Sequence, residues 1–162
     1  MKKLLVATIL FFALGTNITF AQDYNKGLKA AQAGNYAKAF TEWKPLADQG
    51  HDQAQFNIGL MYAKGQGVAV DNFKALKWMR LSAEQGYSDS HHFLGLMYEH
   101  GKAVLRDSVR SHMWYNIASA NGAKGAGDER NYIETKMSQS DISRATNMAR
   151  ECMNSNYKKC GF

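Results

Sequence analysis

Ile58-Gly59-Leu60-Met61-Tyr62 and Leu94-Gly95-Leu96-Met97-Tyr98 are nearly the same phrase, written 36 residues apart. The surroundings keep the same offset. Ala47-Asp48-Gln49-Gly50 answers Ala83-Glu84-Gln85-Gly86, Gly65 answers Gly101, Asp71 answers Asp107, and Trp78 answers Trp114. Gly122 closes the series begun by Gly50 and Gly86. A fixed period of this size means stacked supersecondary units, each covering its neighbour's apolar face. The expected fold class is therefore all-α: a right-handed α-solenoid of about three helix-turn-helix repeats with a C-terminal helical cap. Such a fold points to binding before catalysis.

Each unit reads as two helices. Ala54, Ile58 and Tyr62 recur at i, i+4 and i+8 and mark the core stripe of a first helix. Gly59 falls beside that stripe, and its return as Gly95 suggests that a neighbouring helix comes close, since mid-helix glycine costs about 1 kcal/mol against alanine. Gly65-Gln66-Gly67-Val68 reads as a turn, and Asp71 follows as the N-cap of a second helix whose apolar face is Ala75, Trp78, Met79 and Ala83. Gly50 and Gly86 end second helices. Gly59, Tyr62, Trp78 and their copies Gly95, Tyr98 and Trp114 are thus read as structural. In the N-terminal unit, Gly27 to Ala39 is four residues shorter than Gly59 to Ala75, so its turn is shorter. Pro45, the one proline, predicts a kink in its second helix or a restart after Lys44.

The pattern Ala54, Ile58-Gly59, Tyr62, Gly65, Gly67-Val68, Asp71, Lys74-Ala75, Trp78, Ala83 and Gly86 resembles the Sel-one-like repeat family, relatives of the tetratricopeptide repeats. The next unit matches at Leu94-Gly95, Tyr98, Gly101, Val104, Asp107 and Trp114, and the tighter first unit is similar to a plain tetratricopeptide repeat. The third unit departs in two places: Ala103 stands where Gly67 stood, and His91-His92-Phe93 replaces Gln55-Phe56-Asn57. The expected organisation is a signal peptide at 1–21, a tetratricopeptide-like repeat at 22–50, Sel-like repeats at 51–86 and 87–122, and capping helices at 123–162. The resemblance implies adaptor or scaffold work on a protein or peptide in a bacterial envelope. The alternative it leaves open is an envelope hydrolase or a protein that binds cell-wall peptidoglycan.

The ends bear on location. Met1-Lys2-Lys3, an apolar run from Leu4 to about Leu14, and Thr19-Phe20-Ala21 have the order of a secretory signal peptide cleaved near Ala21, with a retained anchor as the alternative. An exported, periplasmic or secreted protein with no membrane span is expected. The formal net charge of +6 is mild and its cations are scattered, so no nucleic-acid surface is expected. Cys152 and Cys160 are the only cysteines. In an exported chain such a pair is most simply one disulfide, here a staple on the cap. Ser138-Gln139-Ser140-Asp141 resembles a capping box ahead of the stripe Ile142, Ala145, Met148, Ala149 and Cys152.

No catalytic residue, metal site or cofactor is expected. His91, His92, His100 and His112 lack metal-ligand spacing, and His92 is read as filling the aromatic slot of Phe56. Glu99 and Asp107 could be drawn as paired carboxylates, but Asp107 repeats Asp71 as a helix cap. The candidate binding groove lies opposite the core stripe: Gln53, Asn57, Leu60 and Lys64 in one repeat, Asp89, Phe93, Leu96 and His100 in the next. Leu60, Phe93 and Leu96 have a competing reading as packing between repeats.

Overall fold

The computed structural model describes residues 24–161, so the expected signal peptide lies outside the described residues. Helix α1 covers residues 24–32. It is followed by α2 (Tyr36–Asp48), α3 (Asp52–Lys64), α4 (Asn72–Ala83), α5 (Ser88–His100), α6 (Ser108–Ala120), α7 (Ala126–Glu134) and α8 (Gln139–Asn154). Among the described residues the chain is all-helical, and the helices stack as an α-solenoid. Partners within a pair meet closely, α3 on α4 and α5 on α6, and each pair joins the next through α2 on α3 and α4 on α5.

Local sequence sets the ends. Asp71 and Asp107 cap α4 and α6, each accepting a hydrogen bond from a backbone N–H three residues on, Lys74 and Arg110. Ser138 caps α8: its hydroxyl accepts the Asp141 N–H and donates to the Asp141 carboxylate, a side-chain bond in place of the backbone one that completes a capping box. The core follows the period. One cluster centres on Trp43, Leu46, Ile58, Met61 and Trp78, and a second on Met79, Leu94, Met97, Trp114 and Ile117. The second is closed by Ala145, Ala149 and Cys152 of α8.

Gly59 and Gly95 have a shared reason. A methyl group on Gly59 would meet the Met79 side chain at 2.9 Å, and one on Gly95 would meet the Tyr115 ring at 2.5 Å. Met79 and Tyr115 are themselves one period apart, so the close approach is a side chain of the pair's second helix. Tyr62 is only partly buried and packs edge-on against Phe40, 5.7 Å between centroids.

Two expectations need correction. Helix α2 runs unbroken through Pro45 and does not restart after Lys44. Thr41 and Pro45 are both exposed, so the carbonyl that loses its N–H partner is left to water and the cost of an internal proline falls. His92 does not repeat the role of Phe56. Phe56 packs on Tyr87 at the start of the next repeat, whereas His92 packs on Tyr115 of its own pair. The turn of the third unit, by contrast, keeps its geometry: Ala103 takes φ 59°, the left-handed conformation that Gly67 takes at 72°.

Candidate ligand-binding groove

The loops between paired helices are built alike. Gly65 and Gly101 end α3 and α5 in the left-handed conformation. Asp71 N–H then donates to the Tyr62 carbonyl at 2.9 Å, and Asp107 N–H to that of Tyr98 at 3.0 Å. The first loop brings Val70 back over Gly65, whose missing side chain leaves the space Val70 fills. Between this loop and the last two turns of α5 lies an open cavity of about 370 Å³, lined by Ala63, Val70, Asn72, Phe93, Leu96, Met97, His100 and Lys102. Its lining is largely apolar, with Lys102 as its cation and His100 and Asn72 as its other polar members.

Three of the eight residues proposed from sequence, Phe93, Leu96 and His100, meet in this cavity. Phe93 also packs partly against the core, as does Leu60. Lys64 is exposed at the last position of α3, beside Ala63, and Gln53 and Asp89 are exposed near the starts of α3 and α5. Asn57 is committed elsewhere, donating to the Tyr24 hydroxyl at 2.9 Å. The Tyr24 ring stacks on Trp43 and His51, so Asn57 helps hold α1. Sequence reading missed Val70, Asn72 and Lys102. Val70 and Lys102 sit in loops and Asn72 is the first residue of α4, places where the helical stripe gives no direction, and an apolar Val70 in a polar turn was the one available signal.

A second missed group joins the repeats. Gln55 donates through Nε2 to the Ala47 carbonyl at 3.1 Å and accepts at Oε1 from Gln85 at 2.8 Å. One period on, His91 Nε2 meets the Ala83 carbonyl at 3.0 Å and Nδ1 faces the Asn121 amide at 3.4 Å. A carbonyl only accepts, so the proton is assigned to Nε2 and the imidazole is neutral. Burial pushes the His91 pKa down to about 4, with the bond to the Ala83 carbonyl opposing it. The ring stacks on Trp114 and packs at a tilt against Tyr157.

Tyr157 belongs to the loop closed by the Cys152–Cys160 disulfide. That loop turns through left-handed Asn156 and Tyr157. It lays the Tyr157 ring over Gly86 and exchanges hydrogen bonds between the Tyr157 hydroxyl and Asn121. The staple therefore locks the cap onto the interface between the repeats.

The remaining candidate chemistry is occupied structurally. Glu99 accepts the Tyr115 hydroxyl at 2.6 Å, and burial followed by this carboxylate holds the phenol well above its ordinary pKa. Asp107 caps α6 and pairs with Arg110 at 2.7 Å. His112 meets Glu134 of α7 at 2.7 Å, His100 is exposed, and the four histidines do not converge. Among the described residues no three His, Cys, Asp or Glu side chains are placed to hold a metal ion, and no helix is long and apolar enough to cross a membrane.

Paired helices stacked at a 36-residue period, with glycines admitting side chains of the partner helix, define a helical repeat protein of the tetratricopeptide-like class. The Sel1 repeat model matches residues 52–87 and 88–122, so the chain carries two Sel1 repeats. It is similar to c5321, a protective antigen of uropathogenic Escherichia coli strains displaying an SLR fold. That likeness has a TM-score of 0.79 and 28% identity over 85% of this chain and 31% of the other. A Sel1 repeat protein from Oxalobacter formigenes is similar at TM-score 0.55 and 40% identity, over 56% of this chain and 26% of that one. Among curated proteins, HcpE of Helicobacter pylori strain J99, whose name assigns it provisionally to the beta-lactamases, is 31% identical over 72 residues. The match spans 43% of this chain and only 20% of HcpE.

Proposed function

We propose that this chain is a protein- or peptide-binding adaptor that works in a bacterial envelope, exported by cleavage near Ala21 and acting without a catalytic centre. The observation that carries the reading is the cavity where Phe93, Leu96 and His100 meet. At stacking positions the two clear repeats agree (Ile58 with Leu94, Trp78 with Trp114), whereas at the helix end beside the cavity they diverge (Lys64 against His100). Stacking demands like residues, while a ligand meets each repeat at a different point and can use different groups. The N-terminal unit, with Gly27 facing Trp43, serves as a tetratricopeptide-like start, and residues 123–162 as the cap.

The name of HcpE raises a hydrolase as a second reading. The engagement of Glu99 and Asp107 in structural bonds favours binding over that alternative, and a cell-wall polymer remains the competing ligand. The test is capture from envelope extract with residues 22–162, in parallel with the triple variant Lys64→Ala, Leu96→Ser, His100→Ala. A partner retained by the wild type and lost by a variant of unchanged melting temperature supports the groove. Equal capture by both, or hydrolysis of a peptidoglycan or beta-lactam substrate by the wild type, contradicts it.

A further inference from the structure

We propose that the cavity between the α3–α4 loop and the C-terminal end of α5 takes an acidic peptide carrying a bulky apolar anchor. The proposal rests on the adaptor reading and names the chemistry of the partner. Val70, Phe93, Leu96 and Met97 supply an apolar lining, and about 370 Å³ is at the small end of ligand pockets, which run from roughly 300 to 1,000 Å³. It suits one large side chain with its flanking backbone, the way a hot-spot anchor is seated. Val70 is 61% exposed, and Leu105, in the loop that follows α5, is 90% exposed.

The charge around this lining is one-sided. Lys102 lines the cavity. Lys64 follows Ala63, and the Arg106 backbone lies beside Gly101 at the same end of α5. The neighbouring carboxylates are already engaged. Asp71 holds the Lys74 N–H at 2.9 Å and its ammonium at 3.3 Å. Asp107 holds Arg110 at 2.7 Å, and Glu99 accepts the Tyr115 hydroxyl. Lys64, Lys102 and Arg106 have no ion pair among the described residues; Asp71 and Asp107 are each offset by a cation of their own, so of the carboxylates named here only Glu99 is set against these three. A carboxylate-rich segment flanking an apolar residue is complementary to both features, and electrostatic complementarity selects sequence and speeds encounter.

The test uses residues 22–162 and fluorescein-labelled hexapeptides. One has a central Phe-Leu pair flanked by glutamates, a second has the pair flanked by lysines, and a third has glutamates around two alanines. Fluorescence anisotropy at about 50 mM salt, where surface charges are weakly screened, should give the first peptide a Kd about tenfold or more below either of the others. Val70→Ser and Leu96→Ser should each weaken it about tenfold, and so should the double variant Lys102→Glu, Arg106→Glu, all with circular dichroism melts close to wild type.

Equal binding of the glutamate and lysine peptides, still lost on Leu96→Ser, overturns the acidic preference while leaving the groove reading intact. No binding of the first peptide, or binding that ignores all three variants, overturns the proposal, and if the envelope partner also ignores the groove variant then the adaptor reading fails with it. A dimer in sedimentation that Leu96→Ser converts to monomer overturns it in favour of contact between copies of this chain.

Discussion

Gly59 and Gly95 occupy the same place in the period yet face different neighbours, and substitution should separate them. Alanine at Gly95 drives a methyl into the rigid Tyr115 ring at 2.5 Å, whereas at Gly59 it meets the flexible end of Met79 at 2.9 Å. Overpacking costs about 1–3 kcal/mol, and alanine regains about 1 kcal/mol of helix propensity. Gly95→Ala should therefore lower stability by about 1–2 kcal/mol while Gly59→Ala stays within about 1 kcal/mol of wild type. Urea denaturation decides it, and equal losses would contradict the packing account. The turn residues make a second pair. A side chain on Gly67 would lie 2.6 Å from the Tyr36 backbone, which cannot swing aside. Gly67→Ala should accordingly cost about 2 kcal/mol or more, from contact and left-handed strain together. Ala103 already carries its methyl in that conformation. Ala103→Gly gives up about 1–2 kcal/mol of left-handed strain and loses some packing and chain stiffness, leaving stability near wild type. A large loss at Ala103→Gly would show that its methyl matters more than its backbone.

Between helices, the polar pins at Gln55 and His91 hold successive repeats in register. His91 makes this joint sensitive to pH. Its ordinary pKa is 6.5 and burial lowers it to about 4 in the fold. Between these values the unfolded chain binds the proton and the folded chain does not. The contribution of this residue is thus fully present above pH 6.5 and declines as pH falls towards about 4, by about 1.4 kcal/mol per pH unit within the window. His91→Gln puts the Gln55 pin at the second interface and removes the titration. Urea midpoints at pH 7 and pH 5 should then differ less for His91→Gln than for wild type, and an equal drop would place the acid sensitivity elsewhere. The disulfide acts on the same joint by holding Tyr157 against His91 and Asn121. A loop this short contributes about 2–3 kcal/mol by restricting the unfolded chain. Reduction, or the pair Cys152→Ala and Cys160→Ala, should lower stability by that amount, and an unchanged melting temperature on reduction would contradict the staple.

For the whole molecule, the stacking was legible because it needs like residues at like positions: Trp78 and Trp114, Gly59 and Gly95, and Asp71 and Asp107 announce themselves by repetition alone. The joints were not legible, because Gln55 and His91 do one job with two chemistries and their partners lie eight residues back and thirty ahead. The restart that Pro45 offered as one outcome is absent, because the cost of the proline depends on whether the Thr41 carbonyl is buried, and that is settled by packing. Three of the eight lining residues were legible: Phe93, Leu96 and His100 follow from helix geometry, whereas Val70 and Lys102 reach the cavity through loop paths fixed by the Tyr62 and Tyr98 carbonyls. The central claim is that a partner docks on this cavity, and a photo-crosslinking amino acid tests it most directly. Placed singly at Val70, Leu96, Leu28 or Tyr132 in residues 22–162 and irradiated in envelope extract, the probe should give one shared crosslinked partner from Val70 and Leu96 and none from Leu28 or Tyr132. A partner crosslinked from Leu28 or Tyr132, with Val70 and Leu96 silent, would place binding on another face and contradict the account.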